Sequence, residues 1–146
     1  MLSKAFALHL ASLDLVRYDE TGPTGAPPCY VETMPDGAST PDYAVCVYSR
    51  NGFPSRDLSG YETPELQVVY RTAANAGHQA GYDGAEAIRR VLNRTANVAW
   101  AAGTPHEQYV LTCDTNEPEP VYLGPDAAGR PRWSLSVQTE LTKEVT

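Results

Sequence analysis

Residues 64–92 read PELQVVYRTAANAGHQAGYDGAEAIRRVL. The stretch begins with a period of two. Leu66, Val68 and Tyr70 point one way, and Gln67, Val69 and Arg71 the other, which predicts a strand over 65–72. An Ala/Gly-rich segment, 73–81, follows as a loop. The period then becomes helical, and a helix is predicted over 84–97. Asp83 stands as its N-cap, with Glu86 three residues on in a capping-box position. Ala85, Ile88, Leu92 and Ala96 form the stripe to be buried. Arg89, Arg90, Asn93 and Arg94 form the opposite face, which is either solvated or meets an acidic neighbour.

Strand, glycine-rich loop and helix is the order in which many phosphate sites begin. The chemistry for one is missing here. No GK[ST] opens the helix, and the GxGxxG of a dinucleotide site is absent. Asp83 would place a carboxylate at the helix end that attracts anions, repelling phosphate. The loop therefore caps a helix and binds nothing.

Towards the N-terminus, Leu2, Phe6, Leu10, Leu13 and Val16 recur at helical spacing and predict an amphipathic helix. His9, Ser12 and Asp14 interrupt the apolar run, so it does not read as a signal peptide. No run is long enough to span a membrane, and a soluble protein made in the cytoplasm is expected. A Gly/Pro loop over 21–28 leads to a strand at 29–34, ended by Pro35-Asp36-Gly37. The strand at 43–50, YAVCVYSR, is apolar on both faces and belongs in the middle of a sheet. Residues 51–63 read as a long polar loop, a place where function often sits.

The C-terminal third is all strand. Segments at 108–113 and 120–123 precede a turn at 124–130. A strictly alternating strand covers 132–141, with Trp133, Leu135, Val137, Thr139 and Leu141 on its buried side. Residues 142–146 form a tail. The order is α-β-β-β-α-β-β(-β). It predicts a single α+β domain over 1–146: an antiparallel or mixed sheet with two helices packed on one face. The other face, with Gln67, Arg71, Ser136 and Gln138, stays polar.

A net charge of −7 on 146 residues argues against a protein that grips nucleic acid through a broad basic surface. Cys29, Cys46 and Cys113 form no CxxC pair and read as buried free thiols. His9, His78 and His106 show no metal-ligand spacing, and no GxSxG is present. Most carboxylates sit in turns, where Asp is common for backbone reasons. No catalytic residue, metal or cofactor is indicated. An enzyme would need a site built from distant residues, with His78, Asp83, His106 and Asp126 as first candidates.

Several pieces, taken in order, resemble the tail terminator proteins of long-tailed bacteriophages. Tyr30-Val31-Glu32-Thr33-Met34-Pro35-Asp36 matches a first strand and its stop, and residues 43–49 match the central strand. Residues 64–71 match a strand ending in Arg. Tyr82, Ala85, Ile88 and Leu92 match the helix, and Leu123-Gly124-Pro125-Asp126 with Gly129-Arg130 precedes the last strand. The resemblance covers about 29–141. It implies a structural virion protein at the head-proximal end of the tail, without catalysis. It implies a homo-hexameric ring that stops growth of the tail tube, meets the tube protein on one side and a head-completion or stopper protein on the other, and lets DNA through its lumen without specific binding. A head-closure or tail-completion ring protein of the phage neck is the alternative.

Closed rings need head-to-tail contacts. Arg71, Arg89, Arg90 and Arg94 are candidate interface residues, with Glu117 and Glu119 as the carboxylates they would meet on the next subunit. Phe53, Arg56, Asp57 and Tyr61 are candidate contacts in the long loop.

Overall fold

The computed structural model describes residues 1–37, 39–54, 61–93 and 96–142, apart from the side chains of 51–54, 61 and 62. Its elements are α1 (Leu2–Ser12), β1 (Cys29–Val31), β2 (Ala44–Pro54), β3 (Tyr61–Arg71), α2 (His78–Leu92), β4 (Ala96–Trp100), β5 (Gln108–Thr115), β6 (Val121–Pro125) and β7 (Pro131–Thr142). One mixed sheet runs β1-β2-β3-β7-β5-β4, with β6 also paired to β7. Among the described strands, β1 runs parallel to its neighbour and the other pairs are antiparallel. The expected α+β class and the two helices on one face are borne out, with β4 as a strand beyond those expected.

The core lies between that face and the helices. Phe6 and Leu10 of α1 and Ile88 and Leu92 of α2 meet Val45, Val47, Leu66, Val68, Leu135 and Val137 of the central strands. All are nearly free of solvent contact, and each stabilises the fold by about 1.5–3 kcal/mol relative to leaving it exposed. The expected α1 stripe holds for Phe6 and Leu10. Leu13 lies past the helix end and is 40% exposed, while Val16 is buried from the following loop. Ala5, Ala7 and Ala11 of α1 are buried as well.

Three element boundaries differ from expectation for identifiable reasons. β1 stops at Val31 because Glu32 turns to φ 68°, where its carboxylate accepts hydrogen bonds from the Ser49 amide at 2.9 Å and the Ser49 hydroxyl at 2.6 Å. Of the region expected as a loop over 51–63, residues 51–54 and 61–63 are strand, and 55–60 lie outside the described residues. Phe53 pairs with Thr63 and Pro54 with Glu62, past a bulge between Arg50 and Phe53. Gly52, Pro54 and Pro64 mark loops in most contexts. Here they sit at the bulge, at the strand end and at a gap in the ladder, where they cost few bonds.

α2 differs most. It starts at His78, six residues before the expected Gly84, and its N-cap is Gly77 at φ 80°. Asp83 is inside the helix, accepting a hydrogen bond from Gln79 at 2.8 Å. Glu86 makes no capping box; it pairs with Arg89 and Arg90. The helix ends at Leu92, and Ala96 belongs to β4.

Gly81 and Gly84 lie within this helix because the sheet leaves no room for a side chain there. A Cβ on Gly81 would fall 2.5 Å from the Trp133 ring, and one on Gly84 2.3 Å from the Tyr70 ring. In an exposed helix, Gly→Ala gains up to about 1 kcal/mol. Here Gly81→Ala is expected to reverse that sign and destabilise by about 1–3 kcal/mol through overpacking. Urea unfolding checks it; a stabilised variant would remove the proposed role of the glycine.

Candidate assembly surface

The sheet face away from the helices is covered at one end and bare at the other. The cover consists of the 34–42 segment and the 124–130 turn, both held by two buried arginines. Arg71 is 0% exposed and Arg130 1%. From the polar side of β3, Arg71 donates to the carbonyls of Asp42 (3.1 Å), Pro35 (2.6 Å) and Pro41 (2.5 Å). Arg130 donates to the Asp126 carboxylate (2.8 Å) and to the Asp36 carbonyl (2.8 Å). Its Nη1 also lies 3.3 Å from the Thr40 carbonyl.

Asp126 is the counter-ion of both. Its Oδ2 lies 3.7 Å from Arg71 and 2.8 Å from Arg130, while Oδ1 accepts hydrogen bonds from the amides of Ala128 and Arg130. Burial pushes this carboxyl up. Hydrogen bonds from the Arg130 amide and guanidinium and from the Ala128 amide, with the charge of Arg130, outweigh it and hold the group below its usual range.

Arg71 was a candidate contact for a neighbouring subunit. Its guanidinium is enclosed and engaged within its own chain, as a strand-end residue holding a loop. Beside it, a cleft of about 270 Å³ is lined in part by Met34, Tyr48, Val69, Leu123 and Arg132. Burial is the main reason the Tyr48 hydroxyl is pushed up to about 12.

The bare end of this face carries Glu65, Asp114, Gln138 and Glu140 around a shallow depression. Among these residues only hydrogen-bonding and acidic groups face outward. Gln138 donates to Glu65 at 3.0 Å across the strands.

The other candidates lie around α2 and β6. Glu86 engages Arg89, whose side chain is 19% exposed, and also Arg90, whose side chain is 73% exposed. Glu119 accepts a hydrogen bond from the Tyr82 hydroxyl at 3.1 Å and acts electrostatically on Arg89. Glu117 accepts from the Ser136 amide at 3.1 Å. Arg89, Arg90, Glu117 and Glu119 therefore share one side of the protomer. A head-to-tail contact needs a different patch on the neighbour. Phe53 and Tyr61 are strand residues; Arg56, Asp57 and Arg94 lie outside the described residues.

The residues considered for an enzyme site do not converge. His78 packs edge-on against Tyr122 at 4.7 Å, Asp83 pairs with Gln79, and Asp126 is engaged by the arginines. His106 lies in the β4–β5 connection. No group of three His, Cys, Asp or Glu side chains suited to a metal occurs among the described residues. Among the described residues, no helix is long and apolar enough to cross a membrane.

Sequence reasoning missed the apolar surface of β6. Val121 is 44% exposed, Tyr122 40% and Leu123 42%. Tyr122 leans on His78 and Trp133, while Leu123 lines the cleft on the opposite face. The signal was available as three apolar residues in a short segment bounded by prolines.

The family model for bacteriophage tail terminator proteins matches residues 9–143, and the chain belongs to that family. No curated protein matches the chain. The family is a structural one and belongs to the phage tail.

Asp126→Asn is expected to leave two buried guanidiniums undercompensated and to cost about 3–5 kcal/mol at pH 7. The folded pKa of Asp126 lies below the unfolded value of about 3.9, so its contribution is complete above that value and is lost as pH falls through the folded pKa. The gap between variant and parent should therefore narrow below about pH 4. Urea titrations at several pH values measure it, and a gap independent of pH would contradict the assignment.

Proposed function

We propose that this chain forms a homo-hexameric ring at the head-proximal end of the phage tail tube, where it ends tube polymerisation. In this reading, one ring face meets the tube protein and the other a head-completion or stopper protein. DNA passes through the lumen without specific binding, and the chain does no chemistry. The family match over 9–143 carries the proposal. The polar, acidic bare end of the sheet supports it, because a wall of that kind repels DNA and lets it slide. The same match favours a terminator over another ring protein of the neck.

Phage lacking this protein are expected to accumulate over-long tails without heads, visible by negative-stain imaging. Tails of normal length joined to heads would refute the proposal.

The patch of Arg89, Arg90, Glu117 and Glu119 supplies one half of the contact between subunits in this reading. Arg90 has the most exposed guanidinium of its Glu86 cluster. Arg90→Glu is expected to reduce ring formation severalfold, read by native mass spectrometry, with an exposed-site stability change within about 0.5 kcal/mol. An unaffected ring would remove this patch from the contact.

A further inference from the structure

Where α2 begins, beside the pairing of β6 with β7, four rings meet on the helix side of the sheet. Trp133 of β7 is at their centre. The rings of His78, Tyr82 and Tyr122 lie 6.4, 5.6 and 5.1 Å from it, centroid to centroid. None of the three stacks flat on Trp133. The planes of His78 and Tyr82 stand at 85° and 81° to it, and that of Tyr122 at 47°. Rings set at such angles border a common space instead of closing on one another. That space is an open depression of about 140 Å³, lined by His78, Gln79, Tyr82 and Trp133.

We infer that this depression takes a lysine or arginine side chain presented by a partner protein other than this chain. The inference stands on the depression itself and does not require the ring.

Three observations select that occupant. The first is the floor. The faces of tryptophan and tyrosine rings are negative and attract a cation placed over them. The second is the rim. Asp83 and Glu119 flank the rings, and both residues are exposed. Asp83 accepts a hydrogen bond from Gln79 at 2.8 Å, and Glu119 accepts one from Tyr82 at 3.1 Å. Both donors are uncharged, so these bonds fix the carboxylates beside the depression without cancelling their charge. Arg89 and Arg90 are the described cations of this side, and both engage Glu86. Asp83, Glu86, Glu117 and Glu119 are thus set against two guanidiniums, and an incoming cation meets an excess of negative charge. The third observation is size. The depression is well below the roughly 300 Å³ at which small-molecule sites begin, and it suits the head of one side chain.

The cation is assigned to another protein because this chain has few to offer. Arg71 and Arg130 are buried. Arg89 and Arg90 share a side with the depression, whereas a head-to-tail contact joins different patches. Arg17 donates to the Gly22 carbonyl at 2.9 Å, and Arg132 to the Gly124 carbonyl at 3.3 Å. Among the described residues that leaves Lys4, half-buried on α1, and Arg50, in register with Glu65.

The test uses the full chain with isotope-labelled tryptophan, observed by NMR. The two tryptophans give one indole signal each. Trp133 reports on the depression, and Trp100, 0% exposed in the core, is the internal control. Trp133→Phe assigns the signals. The probes are the acetylated, amidated tripeptide Gly-Arg-Gly, its lysine counterpart and its citrulline counterpart, which keeps the shape of arginine without the charge. The arginine and lysine peptides are expected to move the Trp133 signal saturably and leave Trp100 in place. The citrulline peptide is expected to bind at least about fivefold more weakly. Tyr82→Leu keeps apolar bulk and removes a ring, and Asp83→Asn removes an exposed charge. Each is expected to weaken the arginine peptide about threefold, with unchanged circular dichroism. A Trp133 signal unmoved by either cationic peptide, or equal binding of the citrulline peptide, would overturn the inference and leave the ring reading intact. A Trp133 signal that shifts when the chain alone is concentrated would give the depression to a second copy and overturn the choice of partner.

Discussion

One carboxylate between two buried guanidiniums organises the polar side of this protein. Asp126 comes from the tight turn before β7, Arg130 from the end of that turn and Arg71 from the end of β3. Buried charges are tolerated only when paired and hydrogen-bonded. The carbonyls of the 35–42 segment complete the set, so a stretch with little regular structure is fixed across the sheet. The clamp decides which part of the face is covered. It thereby leaves the acidic end open and gives the cleft beside β6 its walls.

Much of this was legible in the sequence, and the failures share a cause. Alternation found β3 and β7, because each has one buried face and a period of two. The two-sided apolar run at 43–50 marked β2 as central. Glycine misled in α2. GHQAGYDG reads as a loop on local propensity, yet Gly81 and Gly84 are helical positions pressed against Trp133 and Tyr70. Contacts with a ring far downstream (Trp133) and one on the preceding strand (Tyr70) cannot be seen in a local window. The pairing of 53–54 with 62–63 was hidden in the same way, since Gly52 and Pro54 are compatible with a bulged strand that only pairing reveals.

The candidate surface was less legible than the fold. Arg71 looked like an exposed assembly residue, because charged side chains are seldom fully buried. Three carbonyls and one carboxylate hold it instead, and they lie 29 to 55 residues away in sequence. The arginines of α2 were read as either a solvated face or one that meets acid, and Arg89 and Arg90 engage Glu86 on their own helix. The β6 patch emerged only when exposure was known, because apolar residues in a strand ordinarily signal burial.

The three cysteines carry a consequence for the particle outside the host. Cys29, Cys46 and Cys113 are free and buried, and burial pushes the thiols of Cys29 and Cys113 up to about 12 and that of Cys46 in the same direction. The reactive form of a thiol is the thiolate, which these sites suppress. A tail protein leaves the reducing cytoplasm when the host lyses and then waits in oxygenated surroundings. Thiols held protonated and out of solvent are poor nucleophiles, so the fold of this subunit itself opposes disulfide exchange with such surroundings.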